Sequence, residues 1–228
     1  MKTFLSVEFK KAATDYLYLI NRGYSKKILL KLVSDKYRLS GIERTALLRG
    51  IIEKNKAKDR INKIITKENI KNKILCIDFY NVAFTIESYF CGNPMFIGLD
   101  NILRDASEFH GKIINNKLFI RSYTSLIQYL KEIEVKKSIF FIDAPVSFSK
   151  ETAYELNKLI VSENINASVK VVKSADYYLI KNNSKISATS DSIIIDKVKK
   201  TFDIAFNLLK TKFDPDFTDL KKIIKQAE

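Results

Sequence analysis

Between residues 4 and 52 the apolar positions recur at helical spacing. Phe4, Leu5, Ala12, Ala13, Tyr16, Leu19 and Ile20 fall in one stripe that stops at Asn21-Arg22-Gly23, and Ile28, Leu29, Leu32 and Val33 form a second. Ser40-Gly41-Ile42-Glu43 has the Ser-x-x-Glu spacing of a capping box, in which each side chain satisfies a free backbone N–H. It opens a third helix carrying Ile42, Ala46, Leu47, Ile51 and Ile52. The pattern predicts a small bundle of three short helices. The EKNKAKDRINK stretch that follows reads as the exposed end of the third helix or as a linker. The domain boundary is expected near residue 70, giving a helical domain 1–70 and a second domain 71–228.

From residue 74 the period changes. The β-rich runs ILCI, SIFFI, VKVV and KISAT alternate with the helical patterns SLIQYLKEI and ETAYELNKLIVSEN. That alternation predicts an α/β domain built on a parallel sheet with crossover helices. Towards the end of the chain Val198, Phe202, Ala205, Leu208 and Leu209 keep helical spacing. Phe217, Leu220, Ile223 and Ile224 then predict a final amphipathic helix, suited to packing and also to self-association as a homodimer.

Composition adds limits. A chain of 228 residues with 46% hydrophobic content can bury a proper core. The first residues meet charge at Glu8, Lys10 and Lys11 and are not expected to act as a signal peptide. No run approaches membrane-spanning length, so the chain is expected to be soluble and cytoplasmic, with no membrane partner. Cys76 and Cys91 have neither a CxxC pattern nor nearby histidines, which argues against a disulfide framework or a zinc site.

The net charge of +14 is one-sided: residues 1–73 hold 19 Lys plus Arg against 7 Asp plus Glu, and residues 74–228 hold 21 against 19. A stable, lysine-rich surface would explain abundant charge but not this asymmetry. A basic module that meets a polyanion would explain it, and RNA is the expected partner. Arg22, Arg38, Arg44 and Arg49 are the candidate phosphate contacts, because a guanidinium offers paired donors to phosphate oxygens; each could equally be a solvated helix residue.

The candidate chemistry lies at the strand ends. ILCI ends in Asp78, SIFFI in Asp143, VKVV leads into Lys173-Ser174-Ala175-Asp176, and KISATS ends in Asp191. Ligands bind at the carboxyl ends of strands in open parallel sheets, so the four acids are expected to converge on one site. Converging carboxylates repel one another unless a cation compensates them, and Mg²⁺ or Mn²⁺ takes carboxylate and water oxygens. The alternative for each aspartate singly is a helix N-cap. Asn81 could orient a metal-bound water or simply bond its own backbone in a turn. The stretch 91–121 (CGNPMFIGLDNILRDASEFHGKIINNKLFIR) is longer than an ordinary βα connection and reads as a lid or substrate-binding loop, with Arg104, His110 and Lys112 as candidate nucleic-acid contacts. His110 could also sit near a helix C-terminus with Gly111 just beyond it. Neither GxGxxG nor a P-loop occurs among the six glycines, so a nucleotide-binding α/β module is the weaker reading.

IDFYNV, FFIDAP, KSADYYL and ATSDSIIID resemble the successive motifs of PIN-like nuclease domains, closest to the NYN branch, and the whole chain is similar to an uncharacterised prokaryotic family in which a short helical domain precedes such a domain. The resemblance implies a three-layer α/β/α sandwich with a mainly parallel sheet. It also implies a metal-dependent ribonuclease site formed by Asp78, Asp143, Asp176 and Asp191, with Asn81 beside them. Two positions after Asp191, where many PIN-like enzymes carry a second acid, this chain has Ile193. A non-catalytic nucleic-acid-binding or adaptor protein on the same fold is the competing expectation.

Overall fold

A computed structural model describes residues 4–107 and 116–225. In chain order, four helices come first: α1 (Val7–Asn21), α2 (Lys26–Lys36), α3 (Gly41–Gly50) and α4 (Lys54–Ile61). A 3₁₀ turn (Lys67–Asn69) leads into β1 (Ile74–Asp78), α5 (Phe79–Phe90), β2 (Met95–Ile97), β3 (Leu103–Asp105) and α6 (Asn116–Glu132). Then follow β4 (Lys137–Asp143), α7 (Ser149–Ser162), β5 (Ala167–Val172), α8 (Ala175–Lys181), β6 (Ile186–Ala188) and α9 (Ser192–Lys197). The last elements are α10 (Ile204–Phe213), β7 (Thr218–Asp219) and α11 (Leu220–Lys225). No helix among the described residues is long and apolar enough to cross a membrane.

The described chain divides into two compact units: residues 4–62, 92–107 and 215–225 form one, and residues 63–91 and 116–214 the other. A single boundary near residue 70 therefore describes the chain only in part, because two later segments return to the helical unit. The predicted capping box is present, with Ser40 Oγ accepting from Glu43 N at 3.3 Å and Glu43 Oε2 accepting from Ser40 N at 2.9 Å. Glu43 also accepts from Ser6 N at 2.8 Å and Ser6 Oγ at 2.6 Å, so one carboxylate ties the starts of α1 and α3 together. Burial alone would raise its pKa; the bonds from Ser6 and Ser40 outweigh that and hold it below the usual range. The third predicted helix ends earlier than its apolar spacing suggests. Ile51 is extended, and EKNKAKDRINK begins a separate helix, α4.

Residues 92–107 of the stretch expected to be a lid or substrate-binding loop are instead part of this core. β2 pairs antiparallel with β3 and parallel with β7, in the order β3-β2-β7. Phe96, Leu220 and Ile224 are buried with Phe9, Tyr16 and Leu47 of the helices. Because Leu220 and Ile224 are used here, that face of α11 is not offered to a second copy of the chain. Gly50 lies so close to this layer that a Cβ would stand 2.3 Å from Leu220 Cδ1 and 2.7 Å from Phe96 Cε2. Helix α3 reaches the small sheet because position 50 has no side chain.

The second unit is mixed α/β with a parallel four-stranded sheet, order β5-β4-β1-β6. Alternation along the strands sends residues to both faces. Cys76, Ile139 and Phe141 pack with Ala175, Leu179, Ile194 and Val198 on the α8 and α9 side. Phe140 meets Phe79 at the start of α5, edge to face at 6.2 Å between ring centres, and Phe79 in turn contacts Phe119 of α6. Val198 and Phe202, predicted to lie in one long helix, flank an extended link between α9 and α10. There Thr201 bridges to Ser187 and Ile64 and widens the sheet edge.

Candidate functional site

The chain runs from β1 outwards through β4 to β5 and then crosses back to place β6 on the other side of β1. The carboxyl ends of β1 and β6 therefore flank the point where strand order reverses, which is where open α/β sheets leave a crevice. Register fixes what lies there. Asp78 is level with Phe141 and Ile77 with Ala188, so Thr189 stands beside Asp78; Asp143, level with Val172, reaches two pairs further along the sheet.

Capping explains some of the four acids but not all. Asp191 is the N-cap of α9, with Oδ1 accepting from Ile193 N at 2.6 Å and Ile194 N at 3.2 Å. Asp143 Oδ1 accepts from Ala175 N, the first residue of α8, at 2.7 Å. Asp176 sits in the first turn of α8, exposed, while Ser174 caps that helix by accepting from Tyr177 N. Asp78 occupies the N-cap position of α5 yet makes no capping bond, and it is only 4% exposed. A buried carboxylate that serves no helix end needs another reason to be there.

The electrostatics identify its neighbours. Burial is the largest influence on Asp78 and, together with repulsion from Asp176, Asp143 and Asp191, pushes its pKa up to about 7, against a hydrogen bond from Thr189 that favours the charged form. Asp176 is also raised, by partial burial first and then by Asp191 and Asp143, with Lys197 opposing. The four acids thus lie within range of one another. They do not form a closed cage: among the described residues, no three His, Cys, Asp or Glu side chains are gathered closely enough to hold a metal ion directly. Two of the acids, Asp143 and Asp191, are turned to backbone N–H groups at helix starts.

Thr189 and Ser190, which carried no role in the sequence reading, bind the site together. Thr189 Oγ1 lies 2.9 Å from Asp78 Oδ2 and 3.2 Å from Asn81 Oδ1, and accepts from Asp191 N at 3.1 Å. Ser190 donates to Asn81 Oδ1 from its backbone N at 2.8 Å and its hydroxyl at 3.0 Å. Asn81 is therefore a clamp between α5 and the residues after β6, rather than a turn residue bonding its own backbone. A single hydroxyl hydrogen on Thr189 faces two acceptors. The shorter contact is the one to Asp78 Oδ2, where the hydroxyl donates and favours the charged carboxylate. The hydroxyl pair immediately before Asp191 was the available signal for these two residues.

The basic candidates separate clearly. Arg22 is exposed and lies 4.5 Å over the Tyr18 ring, and Arg38 is exposed with a left-handed backbone, φ 50°. Arg44 is taken up by Asp35 at 2.9 Å and by the Leu39 carbonyl at 3.0 Å, and Arg49 by the Asp105 carbonyl at 2.9 Å and its carboxylate at 3.3 Å. Arg104 is fully buried. It grips Asp100 through two bonds of 2.7 and 2.8 Å, while Arg60 reaches the same carboxylate at 3.0 Å. As a nucleic-acid contact Arg104 is corrected: its guanidinium is consumed inside the core. His110 and Lys112 lie outside the described residues.

These features define a mixed α/β protein with an acidic crevice at the switch point of a parallel sheet, preceded by a basic helical region. Residues 67–207 match the model of a domain of unknown function, DUF5616, and the chain belongs to that family. Residues 8–63 match a second model, described as a protein of unknown function, DUF434. The two matches meet close to the structural division at residue 62. The chain is also 33% identical over 211 residues to the uncharacterized protein MJ0935 of Methanocaldococcus jannaschii, covering 90% of this chain and all of that one. No solved structure matches the chain.

Proposed function

We propose that this protein is a metal-dependent ribonuclease of the PIN-like superfamily, in which a three-layer α/β/α domain hydrolyses RNA that the basic helical region helps to hold. The observation that carries this reading is Asp78: buried, uncapped, and surrounded by Asp143, Asp176 and Asp191 at the strand-order reversal. Evolution of a purely structural crevice would replace that carboxylate, since a neutral residue of the same shape relieves both desolvation and repulsion. The donors are all hard oxygens, which suits Mg²⁺ or Mn²⁺, and the open spacing suits an ion that keeps several of its waters. Asp78, Asp143, Asp176 and Asp191 would hold it. When bound, such an ion supplies charge neutralisation at the phosphodiester and an activated water.

The chain's own residues supply the rest. Thr189 and Asn81 fix the rotamer of Asp78 and the position of the 189–191 segment, so the acids are preorganised. Arg22 and Arg38, exposed and without a carboxylate partner among the described ion pairs, are the phosphate contacts retained from the helical unit. Cleavage of a labelled single-stranded RNA with Mn²⁺ tests the reading. Wild type should cut, and Asp78→Asn and Asp191→Asn should not. Metal should raise the melting temperature of wild type and not of Asp78→Asn. Metal binding without cleavage would instead favour an adaptor, a reading supported by Ile193, exposed at the lip of the crevice. Replacing Arg22 and Arg38 with Gln should lower the salt slope of RNA binding by about 0.7 per residue.

A further inference from the structure

At the opposite, amino end of the same sheet lies a cleft of about 690 Å³. Lys73 precedes β1, Lys136 precedes β4, Lys185 precedes β6, and Lys200 precedes the Thr201 bridge, so four chain segments each place one lysine on its wall. Their backbones are pinned to one another: Lys136 N donates to Lys73 O at 2.9 Å, and Ser187 N to Lys200 O at 3.1 Å. No acidic residue lines the cleft. Seven lysines have a carboxylate partner among the described ion pairs, including Lys26 with Glu53, Lys131 with Glu163 and Lys71 with Glu134. Lys73, Lys136 and Lys200 have none among the described ion pairs and are exposed, which leaves the local charge uncompensated. Between the lysines the surface is aliphatic, with Ile64, Ile65, Ile74 and Ile186.

We infer that this cleft binds a nucleoside phosphate, with phosphates on the lysines and the base or sugar against the isoleucines. Four like charges around a concave surface favour an anion bearing more than one charge, since each lysine raises the potential felt by the next. Lysine recognises phosphate as a point charge rather than through a planar fork, so several phosphate geometries fit. The volume lies within the range of pockets that enclose small organic ligands. A bare oxyanion would gain nothing from the isoleucines; a nucleotide covers them. The same chemistry is offered by a free nucleotide and by a stretch of single-stranded nucleic acid. The site is separate from the acidic crevice and does not depend on the nuclease reading.

The test uses the full chain in EDTA, so that no metal-dependent cleavage intervenes. Binding of ATP, of a labelled single-stranded ten-nucleotide RNA and of inorganic tripolyphosphate is measured for wild type and for Lys136→Gln/Lys200→Gln, with thermal melting alongside. Both lysines are exposed, so the variant should melt like wild type. The proposal expects ATP or the RNA to bind, and the variant to weaken that binding about tenfold at physiological salt, with the RNA salt slope lowered by about 1.4. ATP binding alone identifies a free nucleotide as the ligand; RNA binding alone identifies the strand. Unchanged affinity in a folded variant would overturn the proposal, as would tripolyphosphate binding as tightly as ATP and RNA.

Discussion

Asp78 and Asp100 are the same residue in opposite company. Both are almost fully buried, at 4% and 1% exposure. Burial is the largest influence on each and pushes both upward, yet Asp78 ends raised, to about 7, and Asp100 ends lowered. The neighbours decide the difference. Asp100 is held by the guanidinium groups of Arg104 and Arg60, whereas Asp78 faces three further carboxylates and one hydroxyl. A buried charge with its countercharge is part of the core; a buried charge among like charges is strain held in place by the surrounding fold, and such strain concentrates at functional sites. Asp100 accounts for itself within the protein. Asp78 does not, and that points to something that arrives from outside.

The largest effect is expected at Asp100. Asp100→Asn leaves two buried guanidinium groups without their carboxylate, and chemical denaturation should record a loss of about 3–5 kcal/mol. The same change at Asp78 should have the opposite sign. With EDTA present at pH 8, Asp78→Asn should gain up to about 4 kcal/mol, since each unit of pKa shift corresponds to about 1.4 kcal/mol. An equal loss at both positions would refute the contrast.

The two aspartates also predict opposite pH dependence. The raised pKa of Asp78 means that the folded state holds its proton more tightly, so its stabilising contribution is full below about pH 4, the unfolded value, and is lost as pH rises towards 7. The lowered pKa of Asp100 means that its contribution is present above that unfolded value and is lost as pH falls through the folded one. Stability profiles between pH 3 and pH 8 should therefore lose their fall towards neutrality in Asp78→Asn and keep it in wild type.

Smaller perturbations sharpen the picture. Thr189→Val removes the hydroxyl that favours the charged form of Asp78, so carbon-detected NMR titration should place Asp78 higher than in wild type, with a stability change of about 1–2 kcal/mol. At Asp191 the cap and site roles separate by substitution. Asp191→Asn should leave metal-free stability within about 0.5 kcal/mol because Asn caps as well as Asp, while Asp191→Ala should lose about 1 kcal/mol. A loss in Asp191→Asn as large as in Asp191→Ala would mean that its charge, not its cap, supports the fold.

Local pattern alone determined a good deal of this protein. The capping box at Ser40 and Glu43, the change from helical to alternating strand and helix at residue 74, the parallel sheet and the aspartates at its strand ends are all set by spacing, capping and β propensity within windows of a few residues. The one-sided basic charge is likewise a property of composition. What tertiary structure alone decided are the partnerships between residues far apart in the chain. Arg60 meets Asp100 across 40 positions, Thr189 meets Asp78 across 111, and residues 92–107 and 215–225 join a unit that begins at the other end of the sequence. Arg104 looked like a phosphate contact because a cation in an irregular stretch carries no mark of its countercharge. Asp191 and Asp78 looked alike because a strand-end aspartate reads the same whether it caps a helix or not. Periodicity reports which face a residue is on; ion pairing, burial of charge and convergence of side chains depend on distances through space, and those exist only once the strands have taken their order and register.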